Sequence, residues 1–199
     1  MNKLFIILFI CATGLLTGCI TPWTISRGGA LPNQGSYGVQ MNIPAEWYKR
    51  RVHNVTLMTR NGLSLESIII YRTKWTDSLS NGHPIPKSIL LHELPELLLG
   101  EYTADGDAFN FTMIENLITD VDNLPCARAQ YRYTSPNSLN VRGIIYCIPF
   151  YSYVTVVCFE AEESHYYAKS VNDFHEMAGS MMIRKKQYRP LPGVKVSKE

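Results

Sequence analysis

Residues 109–160 place the strongest constraint on this chain. Four β-rich segments follow one another there, at 109–118, 126–133, 141–148 and 152–160, with gaps too short for a crossover connection. Strands joined in this way return antiparallel, as hairpins, because a parallel neighbour needs a connection of roughly a dozen residues or more. The last segment is the most apolar, which points to burial. Three further strands are expected upstream, at 37–43, 54–59 and 65–75, with Asn61-Gly62 signalling a tight turn between the second and third. Leu94-Pro95-Glu96-Leu97 opens a helix. Pro95 suits the first helical position, Glu96 favours the positive end of the helix dipole, and the helix is expected to end near Gly106. Tyr167, Val171, Phe174, Ala178 and Met181 recur by four then three, which makes one apolar helical face. Ser170 and Asp173 have the spacing of a capping box. The order β-β-β-α-β-β-β-β-α predicts an α+β fold, an antiparallel sheet with two helices packed on it.

Both ends of the chain are of a different kind. Met1-Asn2-Lys3 is a short basic start, and residues 4–16 are apolar apart from Thr13 with small residues mixed in. That run of 13 residues is shorter than the roughly 20 needed to span a bilayer and has the layout of a secretory leader. Leu16-Thr17-Gly18-Cys19 then resembles the lipobox of bacterial lipoproteins, in which the Cys thiol is lipidated and the preceding peptide is removed. The resemblance implies a signal peptide over 1–18, acyl chains such as palmitate on Cys19, and a membrane anchor in the cell envelope. Ile20 rather than Asp after the Cys resembles the pattern sent to the outer membrane, with the protein facing the periplasm. Residues 19–36, crowded with Pro22, Gly28, Gly29, Pro32 and Gly35, are expected to be a flexible tether. The domain is expected over 37–183. The tail 184–199 carries six basic residues and one acid, and reads as a solvated end or a contact with an anionic surface.

Ile43-Pro44-Ala45-Glu46-Trp47, the run Thr59-Arg60-Asn61-Gly62 to Ile68, Leu94-Pro95-Glu96-Leu97, and the spaced Tyr167, Phe174 and Ser180 resemble a group of bacterial envelope lipoproteins. Their shape is similar to the PsbP-like and DcrB-like α/β/α sandwich. The resemblance covers roughly residues 37–183 and implies a binding or assembly module. It brings no catalytic set to transfer, and a fold alone does not fix a function.

No motif for chemistry stands out. With 19 Lys plus Arg against 17 Asp plus Glu, the net charge of +2 is too small for a nucleic-acid footprint. His92-Glu93-Leu94-Pro95-Glu96 starts like a zinc-protease helix, but the second His is missing and Pro95 breaks the spacing. No metal site or cofactor is expected. His53, His83, His92, His165 and His175 are scattered, and Cys158 lies in the most apolar strand, where burial outweighs reactivity. If the hairpin turns at Ser135-Pro136-Asn137-Ser138, Cys126 and Cys147 face one another, and an oxidising compartment allows a disulfide between them. Reduced, buried thiols are the alternative. Lys49-Arg50-Arg51 beside Trp47 and Tyr48 reads as a binding corner or a solvated loop. Phe150-Tyr151-Ser152-Tyr153 and Tyr166-Tyr167 read as interface aromatics or core.

The function expected from the sequence is non-catalytic: a membrane-anchored lipoprotein that binds or supports another envelope protein or a cell-wall polymer. The alternatives are a hydrolase or redox enzyme with a Cys/His site assembled in space, and a carrier of a small apolar ligand.

Overall fold

The computed structural model describes residues 22–30, 38–79, 82–86 and 88–183. The expected leader 1–18, Cys19 and the basic segment 184–199 lie outside the described residues.

The expected hairpins close. Strands β4 (Val55–Thr59) and β5 (Glu66–Lys74) pair antiparallel, as do β6 (Phe109–Val121) with β7 (Leu124–Thr134), β7 with β8 (Asn140–Phe150), and β8 with β9 (Tyr153–Glu162). With β1 (Thr24–Ala30) and β3 (Asn42–Val52) they form one eight-stranded sheet in the order β1-β3-β4-β5-β9-β8-β7-β6. A small ladder joins β2 (Val39–Gln40) to β10 (Met182–Ile183). β9 lies between β5 and β8, with both edges paired and eight of its ten residues buried. A strand covered on both faces needs a near-continuous apolar run, which is why this segment is the most hydrophobic of the four.

Helices α1 (Leu94–Ala104) and α2 (Tyr166–Gly179) cover opposite faces of the sheet. Because strand side chains alternate, β9 sends Val156 and Cys158 toward Leu94, Leu98 and Leu99 of α1, and Val157 and Phe159 toward Phe174 and Met177 of α2. The rings of Phe159 and Phe174 stack with centroids 5.1 Å apart. Each such fully buried large side chain contributes roughly 1.5–3 kcal/mol. The result is a three-layer α+β sandwich, as expected. Of the apolar face read for α2, Phe174 is buried and Tyr167, Val171 and Ala178 pack against the same core. Met181 is buried just beyond the helix.

Four local expectations are corrected. Residues 24–30, expected in the flexible tether, form edge strand β1 on β3, with Arg27 opposite Ala45 and Gly29 opposite Ile43. Gly28 and Gly29 reach this strand with φ of +83° and +106°, so the extended run comes from pairing with β3 rather than from local preference. The link from β4 to β5 is wider than a two-residue turn: the Gly62 carbonyl accepts from both Leu65 and Glu66 N–H. α2 begins at Tyr166, so Ser170 and Asp173 lie inside the helix and form no capping box. Lys49-Arg50-Arg51 belongs to β3 rather than to a loop.

Candidate functional site

The cysteines come first, because thiol chemistry was the main catalytic alternative. In the β7–β8 hairpin Cys147 faces Ala127, one residue past Cys126. A slip of one residue moves a side chain to the opposite face of the sheet. Cys126 therefore packs in the α2 layer and Cys147 in the α1 layer, and the Cys126–Cys147 disulfide does not form. Cys126, Cys147 and Cys158 are free and buried. Burial, with a smaller contribution from Asp120, pushes the Cys126 thiol up to about 12. Burial also pushes Cys147 and Cys158 well above the ordinary thiol range. Protonated thiols in such surroundings are poor nucleophiles.

The histidines do not converge either. His53 sits at the β3–β4 turn, His165 at the start of α2, and His175 further along that helix. His92 and Glu93 form a short 3-10 turn ahead of α1, where Glu93 accepts from Leu90 N–H at 2.7 Å. Among the described residues, no group of three or more His, Cys, Asp or Glu is placed to hold a metal ion.

Two buried carboxyl groups instead mark the end of the sheet where β5 begins and β9 finishes. Glu66 faces Ala161 and the adjacent Ser67 faces Glu160, so the two acids point to opposite faces. On the α2 side, Glu66 accepts from Arg60 N–H, Asn61 N–H and the Asn61 amide at 3.2, 3.0 and 2.7 Å, and from the Ser170 hydroxyl. Arg60 donates to Asp173 at 3.0 Å and to Ser170 at 2.9 Å while lying 5.4 Å over the Trp47 ring. The Trp47 indole N–H reaches Asp173 at 3.3 Å. This network joins α2 to β3 and to the loop after β4. Trp47 of the run 43–47 and Arg60, Asn61 and Glu66 of the run 59–68 are thus the pieces that hold this helix.

On the α1 side, Glu160 accepts from the hydroxyls of Tyr131 and Tyr133 at 2.6 and 3.2 Å, and Tyr131 also meets the Cys158 sulfur at 2.9 Å. Burial raises the Glu160 carboxyl above its ordinary range, and the two phenols oppose that rise. Period-two counting could have found this group, since Glu160 follows Cys158 on one face of the most apolar strand. A cleft of about 130 Å³ opens beside it, lined by Leu63, Ser67, Tyr133, Asn137, Glu160 and Glu162. Small-molecule sites typically enclose about 300–1,000 Å³. The cleft is smaller than that, and the carboxyl beside it is already held by two phenols.

The surfaces left over are at the sheet margins. Outer strand β6 runs for 13 residues with eight exposed, among them Phe109, Ile114 and Ile118. On the other margin, Ile25 of β1 and Tyr48 of β3 are direct partners and both exposed. The aromatics expected at an interface are half-buried: Tyr153 lies under Arg72, Tyr167 under Arg142, and Phe150 against Tyr151.

No protein-family model matches the chain, and no curated protein matches it by sequence. Solved structures do share its architecture. The solution structure of cyanobacterial PsbP from Synechocystis matches with a TM-score of 0.52 and 11% identity, over 82% of this chain and 94% of that one. The Saccharomyces cerevisiae Ran-binding protein Mog1p matches with a TM-score of 0.55 and 8% identity, over 83% and 100%. A Bacteroides thetaiotaomicron crystal structure matches with a TM-score of 0.50 and 13% identity, over 82% of this chain and 51% of that one. Identities this low speak for the fold alone. The PsbP-like sandwich expected from the sequence is the fold of this protein.

Proposed function

We propose that this protein is an envelope lipoprotein, anchored through acyl chains on Cys19, whose domain binds another envelope protein and catalyses no reaction. The observation that carries the binding role is the β6 margin. This outer strand is long and shows Phe109, Ile114 and Ile118 to solvent; two register shifts interrupt its first half, and the regular stretch from Glu115 to Val121 carries Ile118. Free backbone N–H and C=O groups flanked by such side chains suit strand addition by a partner. The yeast protein of the same fold is a Ran-binding protein, so protein binding is compatible with this architecture. The rival thiol enzyme is disfavoured by three buried thiols held in their protonated form. The anchor rests on Leu16-Thr17-Gly18-Cys19.

Photocrosslinking in cells, with the reactive group at Ile114 or Ile118, tests the binding role. The expected result is one discrete adduct with an envelope protein, lost when Ile118→Glu is added. Absence of an adduct, or the same adduct from exposed Asn54 in the β3–β4 turn, would overturn it. The anchor is tested separately by mass spectrometry of the mature N-terminal peptide, where unmodified Cys19 would remove it.

A further inference from the structure

We infer that the end of the sheet formed by the β3–β4 turn, the close of β5 and the β8–β9 turn rests on an anionic phospholipid surface. The inference deepens the anchored reading above and depends on it for orientation. Thr24 pairs with Lys49 in antiparallel sense, so the chain upstream of Thr24 heads along Arg50 and Arg51 toward that end. Five peptide steps lead from Cys19 to Thr24. Fully extended they span at most roughly 18 Å, so an acylated Cys19 keeps this end close to the headgroups. The strand at 24–30 shortens the expected tether and so limits how far this end can stand from the headgroups.

The chemistry of this end matches such a surface. Arg51, Arg72 and Lys74 on the α2 face and Arg50 on the α1 face bring four cations to this end. Among the described residues its acids are Asp77, which accepts from Lys74 N–H, and Asp120 and Asp122, set apart beyond β8 at the β6–β7 turn. Trp23, Tyr151 and Tyr153 stand among the cations, with Trp23 37% exposed. The Trp75 N–H bonds the Ser152 carbonyl at 3.2 Å, which fixes the β5 and β8–β9 parts of this end to each other. From β1 to β8 the end is about 24 Å wide at ordinary strand spacing. Basic side chains with interleaved Trp and Tyr are the composition of a membrane interface. Charge supplies the attraction, and the aromatics settle at headgroup depth. The sheet order places the β6 margin about 34 Å from β1 across the sheet, with β6 extending away from this end of the sheet.

The test uses the mature chain 19–199 carrying Cys19→Ser, which has neither leader nor acyl anchor, with vesicles of phosphatidylglycerol and phosphatidylethanolamine or of phosphatidylcholine alone. Binding to the anionic vesicles only, falling with salt, is expected. Trp23→Ser with Lys74→Gln should weaken it about tenfold, since each basic group near such a surface counts for roughly fivefold. Arg132→Gln, an equal loss of charge at the opposite end of the sheet, should leave it unchanged. Binding that survives the double substitution belongs to the basic segment 184–199 and overturns the assignment. Equal binding to neutral vesicles, or none to either, also overturns it. A lipidated Cys19 in the mass spectrum together with no vesicle binding would sink this inference and leave the anchor standing.

Discussion

Tyr131 lies directly over Gly143. The two are cross-strand partners of β7 and β8, and a Cβ added at Gly143 would stand 2.4 Å from Tyr131 Cζ and 2.6 Å from its hydroxyl oxygen. The bare glycine lets the ring lie down across the sheet, and only from there does the phenol reach Glu160 at 2.6 Å. Phe111 and Tyr133 stack beside it, with ring centroids 5.6 and 6.2 Å away. A small residue on β8 thus decides where a buried carboxyl on β9 finds its donor.

Gly143→Ala should therefore destabilise the domain out of proportion to one methyl group. The ring must move, and the Glu160 carboxyl loses its shortest hydrogen bond. Overpacking together with a lost buried bond is expected to cost about 2–4 kcal/mol, read as a lower urea midpoint with unchanged slope. Tyr131→Phe keeps the ring and removes only the hydroxyl, so about 1–2 kcal/mol is expected. Equal effects from the two substitutions would contradict the steric argument.

Glu160 should give the fold a pH dependence of definite sign. Burial holds its folded pKa above the ordinary 4.5, so the folded state binds the proton more tightly than the unfolded chain does. Its contribution is complete below the ordinary value and is lost as pH rises through the raised folded value. Glu160→Gln, which cannot ionise, should flatten that decline. Urea midpoints of both proteins from pH 4 to 8 provide the check, and parallel curves would rule the linkage out.

The contact of Arg60 with Asp173 should be coupled rather than additive. Both side chains are about a quarter exposed, but both touch Trp47, and Arg60 shares Ser170 with the fully buried Glu66. A double-mutant cycle with Arg60→Ala and Asp173→Ala is expected to return a coupling of about 1 kcal/mol. Glu66→Ala should cost more, about 3 kcal/mol, because it strands the backbone N–H groups of Arg60 and Asn61.

Maleimide should modify none of Cys126, Cys147 and Cys158 in the native protein. After denaturation without reductant it should modify all three, counted by mass. Modification of Cys158 alone would mean that the other two are bridged and that the register of β7 on β8 is wrong.

The architecture was legible because it depends on local signals. Short gaps between β-rich runs compel hairpins, and Tyr167, Val171 and Phe174 mark the buried side of α2 before any tertiary contact is known. The Glu66–Arg60–Asp173 network was not legible, since its members lie on β5, the loop after β4, and α2. Ser170 and Asp173 carry a cap-like spacing that the helix uses for another purpose, once Arg60 is brought beneath it.

By itself, then, the sequence determined the order of hairpins, the two helices and hence the sandwich, because these follow from connection length and from periods of two and four-then-three. Tertiary structure alone decided that Cys147 faces Ala127 and that residues 24–30 become a strand. A one-residue change of register leaves every local preference intact while exchanging the faces of the sheet. A glycine-bearing segment has no strong preference of its own until the open edge of β3 supplies its hydrogen bonds.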